Sequence, residues 1–306
     1  MTGVRVVQAG ERPQPSSPPP IPDDPLAGLD QDGRRRLPNL IIIGAGKCGT
    51  SALHSYLSAH PEIGMSKVKE LQLFGGPRWL QRLPSYATHF DASHPIRGES
   101  SPSYTMDPFI SSVPEQMAAV LPEPRFVYLV GEPVRRTVAH WAEQHYLRND
   151  ERSLGEALSD ADDPCNPYVA GSRYGHQLER FVTVFGRDRV FVLDQDELRD
   201  RREETLRRVF SFLGVDPSFS SPVFAQQPNA ARNKNQAHAL GRWMQDRWYG
   251  RSRVGQRLST TRWLAGRPLR RAEIDEASRV RVTDVLRPDI ARFRELTGLT
   301  LDHWTI

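Results

Sequence analysis

The octapeptide Gly44-Ala45-Gly46-Lys47-Cys48-Gly49-Thr50-Ser51 constrains this chain more than any other segment. It follows Leu40-Ile41-Ile42-Ile43, an apolar and largely β-branched run halted by glycine. Such a run reads as a strand buried on both faces rather than an amphipathic one. Beyond the octapeptide, Leu53, Tyr56 and Leu57 recur at the spacing of one helix face, and His60-Pro61 closes the pattern. The order is therefore strand, glycine-rich turn, helix. Glycines let the backbone turn tightly and bring its N–H groups close to an anion. The helix start adds a positive dipole end, Lys47 a point charge, and the Thr50 and Ser51 hydroxyls further donors. Glycines alone would fit a plain connecting turn. The lysine, threonine and serine in register with them point to an anion cradle. It is not the ordinary nucleoside-triphosphate loop, which ends in Gly-Lys-Ser/Thr, because here the lysine precedes the last glycine.

The same strand-to-helix grammar recurs downstream. Residues 125–132 (RFVYLVGE) read as a second buried strand that runs into a helix from Val134 to about Arg148. Residues 189–198 (RVFVLDQDEL) read as a third strand, between the helix patterns SRYGHQLERFVTVFG and REETLRRVFSFLGV. Strands alternating with helices predict an α/β fold, a parallel sheet with helices on both faces. The last segment, ASRVRVTDVLRPDIARFRELTG, predicts a helix broken at Pro288 and stopped by Gly298. Residues 1–37, with PQPSSPPPIPDDP at their centre, are too polar to offset ordering entropy and predict a disordered tail or loose wrap ahead of a domain spanning 38–306.

Composition narrows the function classes. At 38% hydrophobic and 25% charged residues the chain is an ordinary globular sequence. No stretch approaches the ~18 consecutive apolar residues of a membrane span, and the first residues lack a signal-peptide pattern, so a cytoplasmic location is expected. Two distant cysteines, Cys48 and Cys165, argue against a disulfide framework or a zinc site, and no metal is expected. The formal charge of +4 is spread over scattered arginines, which suits a small anionic ligand and not nucleic acid. Lysine stands only at 47, 67, 69 and 234, and this arginine bias points to a GC-rich bacterial genome.

LPNLIIIGAGKCGTSALHSYLSAHP resembles the 5′-phosphosulfate loop of sulfotransferases that use 3′-phosphoadenosine 5′-phosphosulfate (PAPS), in the bacterial and heparan-type branch. KELQLF (69–74), GESSPSY (98–104), RFVYLVGEPVRRTVAHW (125–141), SRYGHQLERF (172–181), FVLDQDELRD (191–200), VFSFLGV (209–215) and LTGLTLDHW (296–304) continue the likeness in order. The resemblance implies a sulfotransferase fold and transfer of a sulfuryl group from PAPS to a hydroxyl of a small molecule or glycan. It implies that Lys47 stabilises the leaving oxygen, and that Gly46, Cys48, Gly49, Thr50 and Ser51 hold the 5′-phosphate. Glu70 takes the position of the catalytic base, with Glu99 and His140 as alternatives.

The family pattern at the donor's 3′-phosphate is an arginine at the end of the second strand and a serine eight residues on. Here Gly131 and Ala139 stand at those places, while Pro133 and Arg136 match. A charge-assisted contact contributes roughly 1.5–3 kcal/mol, so losing two weakens donor binding by orders of magnitude unless they are replaced. Arg135, Arg136, Arg173 and Arg232 are the candidate replacements. An enzyme repurposed for another donor, and a non-catalytic or kinase-like nucleotide binder with Glu132 as its strand-end carboxylate, remain as alternatives. Residues 75–97, 141–171 and 242–271, with Trp79, Trp141, Trp243, Trp248 and Trp263, are expected around the acceptor, which the sequence does not name; packing is the simpler role for any one tryptophan.

Overall fold

The apolar run after Asn39 forms the central strand of the fold. The computed structural model describes residues 20–147, 149–226, 235–237, 265–268 and 272–306. In chain order its elements begin with α1 (Gln31–Arg36), β1 (Leu40–Gly44), α2 (Thr50–Leu57), β2 (Ile63–Met65), α3 (Trp79–Ala87) and β3 (Ile96–Ser100). They continue with α4 (Val113–Val120), β4 (Arg125–Val130), α5 (Pro133–Tyr146), α6 (Leu154–Ala157), α7 (Pro167–Ala170), α8 (Tyr174–Phe185) and β5 (Val190–Asp194). Last come α9 (Gln195–Asp200), α10 (Arg202–Leu213), the short strands β6 (Asn235–Ala237) and β7 (Ala265–Pro268), and α11 (Glu276–Thr297). The chain divides into two compact units, Met1–Gln226 with Glu273–Ile306, and Gln227–Ala272. In the second, β6 and β7 pair antiparallel.

The first unit holds a five-stranded sheet in the order β2-β3-β1-β4-β5, every pair parallel. All of β1 is buried, as is β4 after Arg125, because helices flank the sheet. Such continuous apolar strands are what a parallel sheet buried on both faces requires. Two strands escape a hydropathy reading. β3 has the sequence IRGES, yet it lies beside the central strand with Glu99 and Ser100 fully buried. β2 is only a three-residue edge.

Three expectations are corrected. The third strand ends at Asp194, and Gln195–Asp200 turn into α9 because the Asp194 carboxylate caps it, accepting from the Asp196 amide. Pro288 does not break the last helix, which runs unbroken through it. Leu286, Ile290 and Phe293 are all buried along that helix, and Asp289 accepts from the Gly175 and His176 amides at the start of α8. That packing outweighs the missing proline donor. Gly298 does end the helix in the left-handed conformation. Finally, the segment before the domain is not without structure: α1 is capped by Asp30, and Leu29 and Leu37 join the core. Trp79 is likewise a core residue. Among the described residues, no helix is long and apolar enough to cross a membrane.

Candidate active site

The octapeptide lies at the carboxyl end of β1, where parallel sheets gather their ligand sites. Gly49 caps α2 at φ +97, a left-handed conformation that side chains resist. Lys47 also adopts a left-handed φ of +74. The Cys48 amide donates back to the Ala45 carbonyl at 3.2 Å, which closes the turn. The amides of Gly46, Lys47, Gly49, Thr50 and Ser51 have no acceptor among the described residues. These are the groups that an anion at a helix N-terminus would engage. The Cys48 side chain faces the core, and burial pushes its thiol up to about 11, so it contributes packing and not nucleophilicity.

Three cations converge on this turn. Lys47 pairs with Glu143 of α5, Nζ to Oε1 at 2.6 Å. Lys69 donates to Ser51 Oγ at 2.6 Å. Arg136 lies beneath, with Nε donating to the Gly46 carbonyl at 3.2 Å and Nη1 to the Tyr168 carbonyl at 2.8 Å and to Ser172 Oγ at 3.3 Å. Arg136 is 3% exposed and, among the described residues, pairs with no carboxylate. Gly171 makes room for it, since a Cβ there would run into the guanidinium.

The expected base candidates fall in different settings. Glu70 is 51% exposed on its side chain, at φ +60, with Lys69 Nζ 3.6 Å from its Oε1. Glu99 is fully buried, and its carboxylate accepts from the Tyr86, Tyr104 and Ser101 hydroxyls at 2.7–2.8 Å. Burial raises its pKa despite those hydroxyls, and the Ser101 and Tyr104 hydroxyls in turn accept from the Gln72 and Leu73 amides. His140 sits beside Arg136, with Nδ1 3.4 Å from Nη2. Burial, followed by the Arg136 and Lys47 charges, holds its pKa well below the ordinary value, so it is neutral near pH 7.

The replacements at the family's 3′-phosphate positions are also visible. A Cβ on Gly131 would lie 2.7 Å from Gln195 Oε1, so the Gln195 side chain takes that space. The Glu132 carboxylate accepts from the Val134 and Arg135 amides at the start of α5. Arg135 pairs with Asp196 at 2.9 Å. Arg173 makes one long contact, 3.4 Å to the Asp162 carbonyl, and its buried Nε has no partner among the described residues. Arg232 lies outside the described residues, as do Trp243, Trp248 and Trp263. Trp141 stacks on His145 at 4.7 Å.

Sequence reasoning missed Lys69 and Glu143. The signal for Lys69 was its place beside Glu70; Glu143 carried one only in its helical spacing from Arg136 and His140.

His54 is a buried histidine of α2. Burial and then the Lys69 charge lower its pKa from 6.5 to about 4. A folded-state pKa below the unfolded one means full stability above the unfolded value and loss as pH falls through the folded one. Stability, and with it the thermal midpoint, is therefore expected to fall between pH 6.5 and 4, this group contributing up to about 3 kcal/mol. Melting curves of His54→Gln should show a shallower fall over that window.

The sulfotransferase domain family profile matches residues 37–239. The bifunctional heparan sulfate N-deacetylase/N-sulfotransferase 1 of Caenorhabditis elegans is 29% identical over 61% of this chain. The human bifunctional heparan sulfate N-deacetylase/N-sulfotransferase 2 is 25% identical over 88%. These matches span only 23% and 31% of the relatives' own lengths. In three dimensions, a sulfotransferase from Alicyclobacillus acidocaldarius superposes with a TM-score of 0.63 at 22% identity, covering 88% of this chain and 99% of that one. With the profile covering about two thirds of its length, the chain belongs to the sulfotransferase domain family.

Proposed function

We propose that this chain transfers a sulfuryl group from PAPS to a hydroxyl or amine of a glycan or small molecule. The observation that carries the reading is the turn at Gly46–Ser51, where unengaged amides meet Lys47, Lys69 and the buried Arg136. Such a cradle fits a phosphosulfate: it is cationic, lined by donors, and opens at a helix N-terminus. Amine acceptors enter because the relatives' names include N-sulfotransferase.

In this reading the amides of Gly46, Gly49, Thr50 and Ser51 hold the donor's 5′-phosphate. PAPS supplies the sulfuryl group, and its nucleotide departs with the phosphate. Lys47 donates to the oxygen that gains charge as the bond to sulfur breaks. Catalysis of such an in-line transfer is mainly positioning and charge stabilisation. Lys69 holds Ser51 in place and adds positive charge beside it. Glu70 takes the acceptor's proton, and its exposure lets it pass that proton to water. Arg173, with its unpartnered Nε, is the described residue best suited to the 3′-phosphate in place of the missing arginine.

Calorimetric titration of the full chain with PAPS, with its desulfo product PAP, and separately with ATP and Mg²⁺ tests the reading. Binding of PAPS and PAP in the micromolar range is expected, with little for ATP. An acceptor screen should then yield products heavier by one SO₃ group. If neither PAPS nor PAP binds below millimolar, the reading is wrong.

A further inference from the structure

Helix α5 presents Arg136, His140 and Glu143 at intervals of four and three residues, which places them on one face. That face meets the phosphate turn. Arg136 grips its backbone at Gly46, and Glu143 grips the side chain of Lys47. The Lys47–Glu143 pair spans 96 residues of sequence and is only 22% and 32% exposed on its two side chains. Partial burial screens it less than a surface pair.

We infer that Glu143 is a positioning residue that holds the Lys47 ammonium in the ligand-free protein, so that an anion entering the turn must displace it. The inference rests on the reading of the turn as a phosphosulfate site. Lys47 has one ammonium and cannot give its full charge to Glu143 and to a bound phosphosulfate at once. Binding of the anion therefore competes with the ion pair. Without the donor, the lysine is fixed and shielded; with it, Lys47 turns to the donor, and the Glu143 carboxylate stays behind at the edge of the site. The ladder from Arg136 means that the same helix sets both the backbone of the turn and its charge.

The test uses the full chain and the variants Glu143→Gln and Glu143→Asp. An amine-reactive label with peptide mapping reads the modification rate of Lys47, with exposed Lys67 as the internal reference. Loss of the pair should raise the Lys47 rate about five-fold in Glu143→Gln, with Glu143→Asp between it and the parent. PAP affinity, measured on the same proteins, should rise by about the same factor in Glu143→Gln because the competing carboxylate is gone. Equal labelling in parent and variant would overturn the inference, as would faster labelling with PAP affinity unchanged or weaker. If labelling responds but no protein binds PAP or PAPS, the hold on Lys47 stands and the donor assignment fails instead.

Discussion

Lys47→Ala is expected to slow sulfuryl transfer by roughly 10²–10³-fold while leaving the fold intact, the loss typical of removing one preorganised donor to a developing oxyanion. The reason is where the side chain acts. In the proposed site the turn's amides hold charge already present, whereas Lys47 meets the leaving oxygen, whose charge develops only during transfer. Removing Lys47 should therefore lower kcat far more than it weakens PAPS binding. Stability should scarcely change, because the pair with Glu143 is partly exposed and such pairs contribute at most about 1 kcal/mol. Lys47→Arg should not restore the rate, since a planar guanidinium is larger and distributes its charge differently from a compact ammonium. Single-turnover transfer with mass detection, beside PAPS titration without acceptor, separates the two effects. Activity within ten-fold of the parent would remove Lys47 from the chemistry.

The fold was legible where burial and composition agree. β1 and β4 are apolar throughout because both faces are covered, and a run such as Leu40–Ile43 has no other stable place. The glycine-rich turn was legible because its conformation demands glycine at φ +97. β3 was not, since IRGES is polar, and its buried Glu99 is satisfied by the hydroxyls of Tyr86, Ser101 and Tyr104. α9 was misread as strand because its start depends on one capping carboxylate, and α11 as broken because the packing that carries it past Pro288 is tertiary. The site divides the same way. Lys47 and the loop residues sit in one contiguous motif. Glu143 and Lys69 reach it from elsewhere in the chain, so their roles arise from packing that no local pattern encodes. Arg136 stood out as a basic residue at a family position, but the sequence could not tell a ligand to the donor from a brace beneath the turn.

The geometry favours the brace, and Arg136→Met should expose it. The guanidinium is buried, and its donors are engaged by the Gly46 and Tyr168 carbonyls and by Ser172. Methionine fills much of the volume but leaves those acceptors unsatisfied, at about 1–3 kcal/mol for each buried group. Relief of burying a charge offsets part of that cost, so a net loss of about 3 kcal/mol is expected. In a chain of this size that corresponds to a thermal midpoint lower by roughly 6–12 °C. The turn also loses its tether and the positive charge beneath it, so PAP affinity should fall at least ten-fold, or about 1.4 kcal/mol. Arg136→Lys separates the two contributions. Lysine keeps the charge but cannot bridge two carbonyls and a hydroxyl with one rigid fork. It should therefore regain part of the PAP affinity, most clearly at low salt where charge is least screened, while its melting stays close to that of the methionine variant. If the lysine variant instead melts like the parent and binds PAP poorly, Arg136 acts as a direct ligand to the donor, and the brace is provided by the loop's own hydrogen bonds.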